Sequence, residues 1–202
     1  MKTNSLTWPK ARSLADLGEI TASWLLGLVP NHLCQEGPPD LETNKIRRSL
    51  VRLNRSGWVT DFSQPAEPHH DGCAQRACVS GFCEEGLSRT IATLMLCTEL
   101  IAFVFPPNGG GGYQIPITID DYHPFTWHGS FDPQYAFDSF VETLHHDALR
   151  ALRRAWYIIV IDPVWGRQRY LWQQVEKMMR QGAVPFDIRP SPNLGLDVDF
   201  VY

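Results

Sequence analysis

The run Trp156-Tyr157-Ile158-Ile159-Val160-Ile161, followed directly by Asp162-Pro163-Val164-Trp165-Gly166-Arg167, sets the reading of the whole chain. Its first half is rich in β-branched and aromatic side chains and is apolar at odd and even positions alike. That pattern describes a strand buried on both faces. The polar segment after it is expected to open a helix from Val164 to Gln181. A strand that runs into a helix N-terminus is the repeating joint of α/β proteins. A second run, Leu100 to Phe105, is apolar on both faces too, and is expected beside the first at the centre of one sheet.

Working outward, Ser13 to Val29 reads as a helix. Ser13 and Asp16 have the spacing of a capping box, and Leu14, Leu17, Ile20, Trp24 and Leu28 recur at steps of three or four. A second helix is expected from Leu41 to Asn54. Trp58 to Ser63 alternates as a strand, with Gln75 to Phe82 as its hairpin partner. Glu84 to Cys97 reads as a buried helix, Tyr113 to Asp120 as a strand, and Pro133 to Arg154 as one long helix. Pro116 places an edge or a bulge in its strand. Val198 to Tyr202 is a candidate last edge strand. The expected architecture is α/β: a mixed, mostly parallel sheet of about five strands with helices on both faces, with residues 1–202 as one domain.

The chain has 202 residues, 22 acidic and 18 basic, for a formal net charge of -4. Phosphate binding along a nucleic acid needs a basic excess, so this balance argues against it. No apolar run reaches the ~20 residues that cross a bilayer, and Asp16 and Glu19 fall where a signal peptide would be apolar. Five cysteines, an odd number scattered among apolar segments, suit free thiols. A cytoplasmic protein that does not meet a membrane is expected.

Ligands of open α/β sheets bind where strands end and helices begin. Asp162 and Arg167 lie there, with Trp165 between them. Arg167 could hold an anion or Asp162; alternatively Asp162 caps the helix and Arg167 is solvated. Ser63 and Gln64 end the first strand, and Gln75 and Arg76 begin its partner. Together these suit planar recognition of a base, an amide or a carboxylate, or else they brace the turn. Asp120-Asp121-Tyr122-His123, with Trp127 and His128 after it, could stack a base and supply a proton acceptor, or form a surface loop around a half-buried Trp. The candidate site thus has Asp162 and His128 as catalytic groups and Ser63, Gln64, Gln75, Arg76, Trp127, Trp165 and Arg167 as ligand-binding groups. Its weakest premise is that the strands ending at Ser63 and at Ile161 point the same way.

No metal or cofactor is expected. His69-His70-Asp71-Gly72-Cys73 has the residue types of a metal cluster, but Cys73, Cys78 and Cys83 are five apart, which matches no zinc-ribbon or finger spacing. The glycines 109–112 lack the Lys-Ser or Lys-Thr of a phosphate loop. Arg47, Arg48, Arg52 and Arg55 form either a phosphate stripe or a solvated helix face.

Several stretches resemble an uncharacterised domain family of actinobacteria and their phages: Trp8-Pro9 through Gly18, Leu53-Asn54-Arg55 through Thr60 and on to Ser63-Gln64-Pro65, Gln75-Arg76-Ala77 with Gly81-Phe82, and Asp162 to Arg167 with Leu171-Trp172. The resemblance implies a cytoplasmic protein of a phage or mobile element and brings no activity. Two functions follow from the residues. One is a binding protein or enzyme for a small anionic, nucleotide-like ligand. The other is a non-enzymatic factor that binds a protein partner. Polar groups converging in a deep pocket favour the first; a broad exposed aromatic patch favours the second.

Overall fold

In a computed structural model, which describes residues 7–181, eight strands form two four-stranded sheets, both antiparallel throughout. The first sheet holds β1 (Val59–Gln64), β4 (Cys78–Cys83), β8 (Trp156–Ile161) and β5 (Ile101–Phe105), in that order. The second holds β2 (Glu67–His70), β3 (Cys73–Gln75), β6 (Gly111–Asp120) and β7 (His123–Phe131). One long hairpin links them. β1 and β4 are its base in the first sheet, and β2 and β3 are its tip in the second.

This corrects the expected mostly parallel sheet. β4 and β5 do run parallel, joined by α3 (Glu85–Met95), but β8 lies between them and is antiparallel to both. A strand apolar on both faces is satisfied between any two neighbours, whichever way it runs. β8 is interior, while β5 is an edge strand and half-buried along most of its length.

Helices do cover both faces of the first sheet. Val79, Ile158 and Val160 face a core built with Leu50 and Leu53 of α2 (Arg47–Arg55), Ile91 and Met95 of α3, and Leu171, Val175 and Met178 of α6 (Tyr170–Gln181). Phe82, Tyr157, Ile159 and Ile161 face the other core. There they meet Leu17 and Ile20 of α1 (Leu14–Leu25), Phe137 of α4 (Pro133–Asp138), and Ala148 and Leu152 of α5 (His146–Arg153). The β6–β7 hairpin closes this side. Its Ile117 is buried, and the Phe131 ring stacks on Tyr157 at 3.9 Å.

Local rules account for the joints. Ser13 and Asp16 form the expected capping box. Buried Asn54, at the end of α2, accepts from the Thr60 N–H and donates to Thr60 Oγ1 and Leu50 O, which fixes α2 against β1. The stretch read as one helix from Pro133 to Arg154 is two. His145, whose ring accepts from Asp147 N–H, caps the second of them. The helix expected at Val164 starts at Tyr170. The strand Gln75 to Phe82 breaks at Arg76-Ala77 into β3 and β4, and β7 occupies what read as a loop. The candidate strand at Val198 to Tyr202 lies outside the described residues. All five cysteines are free. No described helix is long and apolar enough to cross a membrane.

Candidate functional site

β1 and β8 are each antiparallel to β4, so they point the same way and end at one edge of the first sheet. The structure therefore brings Gln64, Gln75, Arg76, Asp162, Trp165 and Arg167 together. Gln64 is buried. Its amide donates to Arg76 O at 3.1 Å and Ile117 O at 3.0 Å, and accepts from Thr118 Oγ1 at 3.2 Å. Arg76 donates to Pro163 O at 3.1 Å and Pro116 O at 2.7 Å, and lies 4.1 Å over the Trp165 ring. Fully buried Asp162 accepts from Val164 N–H at 3.0 Å and from Arg167 Nε and Nη2, both at 2.8 Å. Arg167 also pairs with Glu99 and covers the Tyr170 ring at 3.9 Å. The Gln75 carbonyl accepts from Gly166 N–H at 3.1 Å.

These contacts join strand to strand. Gln64 and Arg76 tie the first sheet to β6, and the Asp162–Arg167 pair folds the β8–α6 connection back on itself. Gln64, Arg76, Asp162 and Arg167 are thus held by bonds to carbonyls and to one another, while the buried Gln75 Oε1 has no partner. Three sequence-read members, Trp127, His128 and Ser63, stand apart. Trp127, in register with Pro116, is half exposed. His128 points to the other side of β7, where its ring packs on Phe62 at 4.9 Å. Burial lowers the His128 pKa from 6.5 to about 4, so the ring is neutral at pH 7. Ser63, paired with Val79, alternates to the face opposite Gln64. Of the arginine stripe, Arg55 is paired with Glu19.

Sequence reasoning missed a second cluster. A bulge after Thr60 leaves Asp61 without a strand partner. Its carboxylate accepts from Ser80 Oγ at 2.8 Å and Tyr157 Oη at 2.9 Å. Asp61 borders a cavity of about 20 Å³ also lined by Trp8, His32 and Cys34, room for about one water. Burial raises the Asp61 carboxyl above its ordinary range, against the opposing hydrogen bonds from Ser80 and Tyr157. The visible signal was an Asp inside an alternating apolar strand.

A pH dependence follows. A raised folded pKa favours the protonated form, so the stability that Asp61 contributes is present below its unfolded pKa near 3.8 and is lost as pH rises through the folded value. Asp61→Asn should show a higher urea midpoint than the wild type at pH 7, with the gap closing toward pH 4. A gap independent of pH would contradict this assignment.

An exposed aromatic set lies elsewhere. Along the β6–β7 hairpin, Tyr113 is 78% exposed, Tyr122 70%, Phe125 71% and Trp127 49%. Phe125 is the extra residue at a register shift of β7, two positions from Trp127. Charge is distributed unevenly as well. Segments 67–75 and 111–131, which form the second sheet and its turns, contain Glu67, Asp71, Asp120 and Asp121 and no Lys or Arg. Elsewhere the sequence has 18 acidic and 18 basic residues, so these segments carry a formal excess of four negative charges, of which Glu67 is paired with Lys45.

Fold and surface define a two-sheet antiparallel α/β protein with an acidic, aromatic hairpin sheet projecting from a helix-covered one. The chain belongs to the family described as a domain of unknown function (DUF6919), which matches residues 3–182. The comparison with curated proteins returned no match.

Proposed function

We propose that this protein is a non-enzymatic interaction factor that binds a protein partner through the β6–β7 hairpin. The observation that carries the reading is the exposed set Tyr113, Tyr122, Phe125 and Trp127 on one hairpin. Aromatic side chains anchor interfaces because they bury large area at low entropic cost. The surrounding carboxylates favour a partner with an apolar pocket and a basic rim. The phage or mobile-element setting implied by the resemblance, with a host protein as the target, belongs to this proposal, as does a cytoplasmic location.

Native mass spectrometry of protein purified from its own host tests it. The wild type should retain a protein partner. F125S/W127S should lose that partner while keeping its circular dichroism and its unfolding free energy within about 0.5 kcal/mol, as surface substitutions do. A complex that survives both substitutions would refute the reading.

One observation favours a small anion instead: Arg76 is half-buried, and its hydrogen bonds go to carbonyls rather than to a carboxylate. On that reading Arg76, Trp165, Arg167, Gln64 and Gln75 would bind the ligand, with Asp162 moving a proton; Ser63, Trp127 and His128, read with them from the sequence, lie apart from this group. A retained small anion, lost on Arg76→Gln, would select it.

A further inference from the structure

The two hairpin tips of the second sheet lie side by side. β2 turns into β3 through Asp71-Gly72, and β6 turns into β7 through Asp121-Tyr122. All four residues have positive φ: 47°, 82°, 45° and 65°. Such paired left-handed residues make the two-residue turns that match the twist of antiparallel strands. The tips are fastened to each other. Tyr122 N–H donates to Gly72 O at 2.9 Å, and the Tyr122 ring lies so close over Gly72 that a Cβ there would meet it at 2.8 Å.

This fastening aligns the residues that close the two turns. His70 is opposite Cys73, and Asp120 is opposite His123. Ala74 is opposite Ile119, and the next pair along that ladder is Cys73 with Asp120. Directly opposed residues project from the same face. His70, Cys73, Asp120 and His123 therefore form one row across four strands. Cys73 Sγ lies 3.2 Å from Asp120 Oδ1, which confirms the shared face at the centre of the row. All four residues are exposed.

We propose that this row binds a divalent transition-metal ion of the zinc type, with Cys73 and Asp120 as central ligands and the His70 and His123 imidazoles closing over them. Sulfur, imidazole nitrogen and carboxylate oxygen are the donor set that zinc takes and that calcium and magnesium do not. Each imidazole stands on a strand one and a half strand spacings, about 7 Å, from the midpoint between Cys73 and Asp120, within reach of a long side chain. His70 now contacts Asp71 at 2.9 Å and is 84% exposed, so turning it inward requires only rotation of a solvated side chain. The sheet's negative charge favours a cation there. Linear spacing conceals the site, because the ligands are brought together by the register of two separate hairpins.

A more compact group, His145, His146 and Asp147, has ligand atoms within 4.8 Å of one another. However, the His145 ring already accepts from the Asp147 N–H, and Arg150 lies 3.8 Å from the Asp147 carboxylate. It serves as the control.

The experiment titrates the full-length, reduced, chelator-treated protein with Co²⁺. One equivalent should give a thiolate-to-cobalt charge-transfer band that Zn²⁺ displaces. Because binding releases the Cys73 thiol proton, the apparent affinity should rise with pH. The band should disappear in Cys73→Ser, weaken in H70Q/H123Q, and persist in H145Q/H146Q. Unchanged circular dichroism would show that the exposed substitutions leave the fold intact. Absence of a band, a band that survives Cys73→Ser, or one lost in H145Q/H146Q would overturn the proposal.

Discussion

Asp162→Ala should destabilise the protein by about 3 kcal/mol, the lower end of what breaking a buried ion pair costs. Asp162 is fully buried and receives two bonds from Arg167 and one from the Val164 N–H. Removing the carboxylate leaves the guanidinium with the Tyr170 ring and Glu99, which is itself 67% exposed. The cost stays at the lower end because the Arg167 side chain keeps 26% of its surface and can recover some hydration. Removing both charges should hurt less than removing one, since no unpaired ion then remains. D162L/R167L is therefore expected to be more stable than D162A. Urea denaturation measures both. A D162A midpoint equal to the wild type would mean that the pair is not a structural lock.

Gly81→Ala should cost about 3 kcal/mol or more, at or beyond the top of the usual overpacking range. Gly81 lies in the middle of β4, opposite Thr60 on one side and Ile158 on the other. A Cβ there would stand 2.2 Å from Val59 O and 2.8 Å from Thr60 Cα. Both are backbone atoms of β1, so no side-chain rotation relieves the contact. β1 would have to part from β4, pulling on the Asn54–Thr60 bonds that anchor α2 and on Asp61 beneath Ser80 and Tyr157. Thermal melting should show a large loss of stability or no cooperative transition, and a wild-type melting temperature would contradict the strand packing described.

The sequence showed much of the scaffold. The Ser13–Asp16 cap, the Trp58–Phe82 hairpin and the adjacency of Leu100–Phe105 to Trp156–Ile161 could all be read from local chemistry and periodicity. Strand direction could not. β8 is apolar on both faces, and that pattern suits parallel and antiparallel neighbours alike. β7 was missed because Pro124 and Gly129 break its strand pattern, and an edge strand tolerates such residues where a central one does not.

The edge cluster was legible as a set of residues but not as chemistry. The convergence of Gln64, Arg76, Asp162 and Arg167 follows from β1 and β8 pointing the same way. That Gln64, Arg76 and Arg167 bond to strand carbonyls and carboxylates is a matter of side-chain geometry, which residue types do not reveal. The Asp61 cluster needs a bulge and a Tyr 96 positions away. The row His70–Cys73–Asp120–His123 depends on the register between two hairpins. The exposed aromatic hairpin could not be distinguished from a core strand by composition, because Tyr, Phe and Trp favour both settings.

On the proposed function, the aromatic hairpin rather than the sheet-edge cluster meets the partner. Site-specific photo-cross-linking in the protein's own host tests it most directly. A photoreactive residue would replace Phe125 in one variant and Arg89 in another. Arg89 is exposed on α3, away from the hairpin and paired with Glu85 of the same helix. The expected result is a single protein adduct from position 125, competed away by unlabelled wild type but not by F125S/W127S, and no such adduct from position 89. No adduct at 125, or the same adducts at both positions, would contradict it.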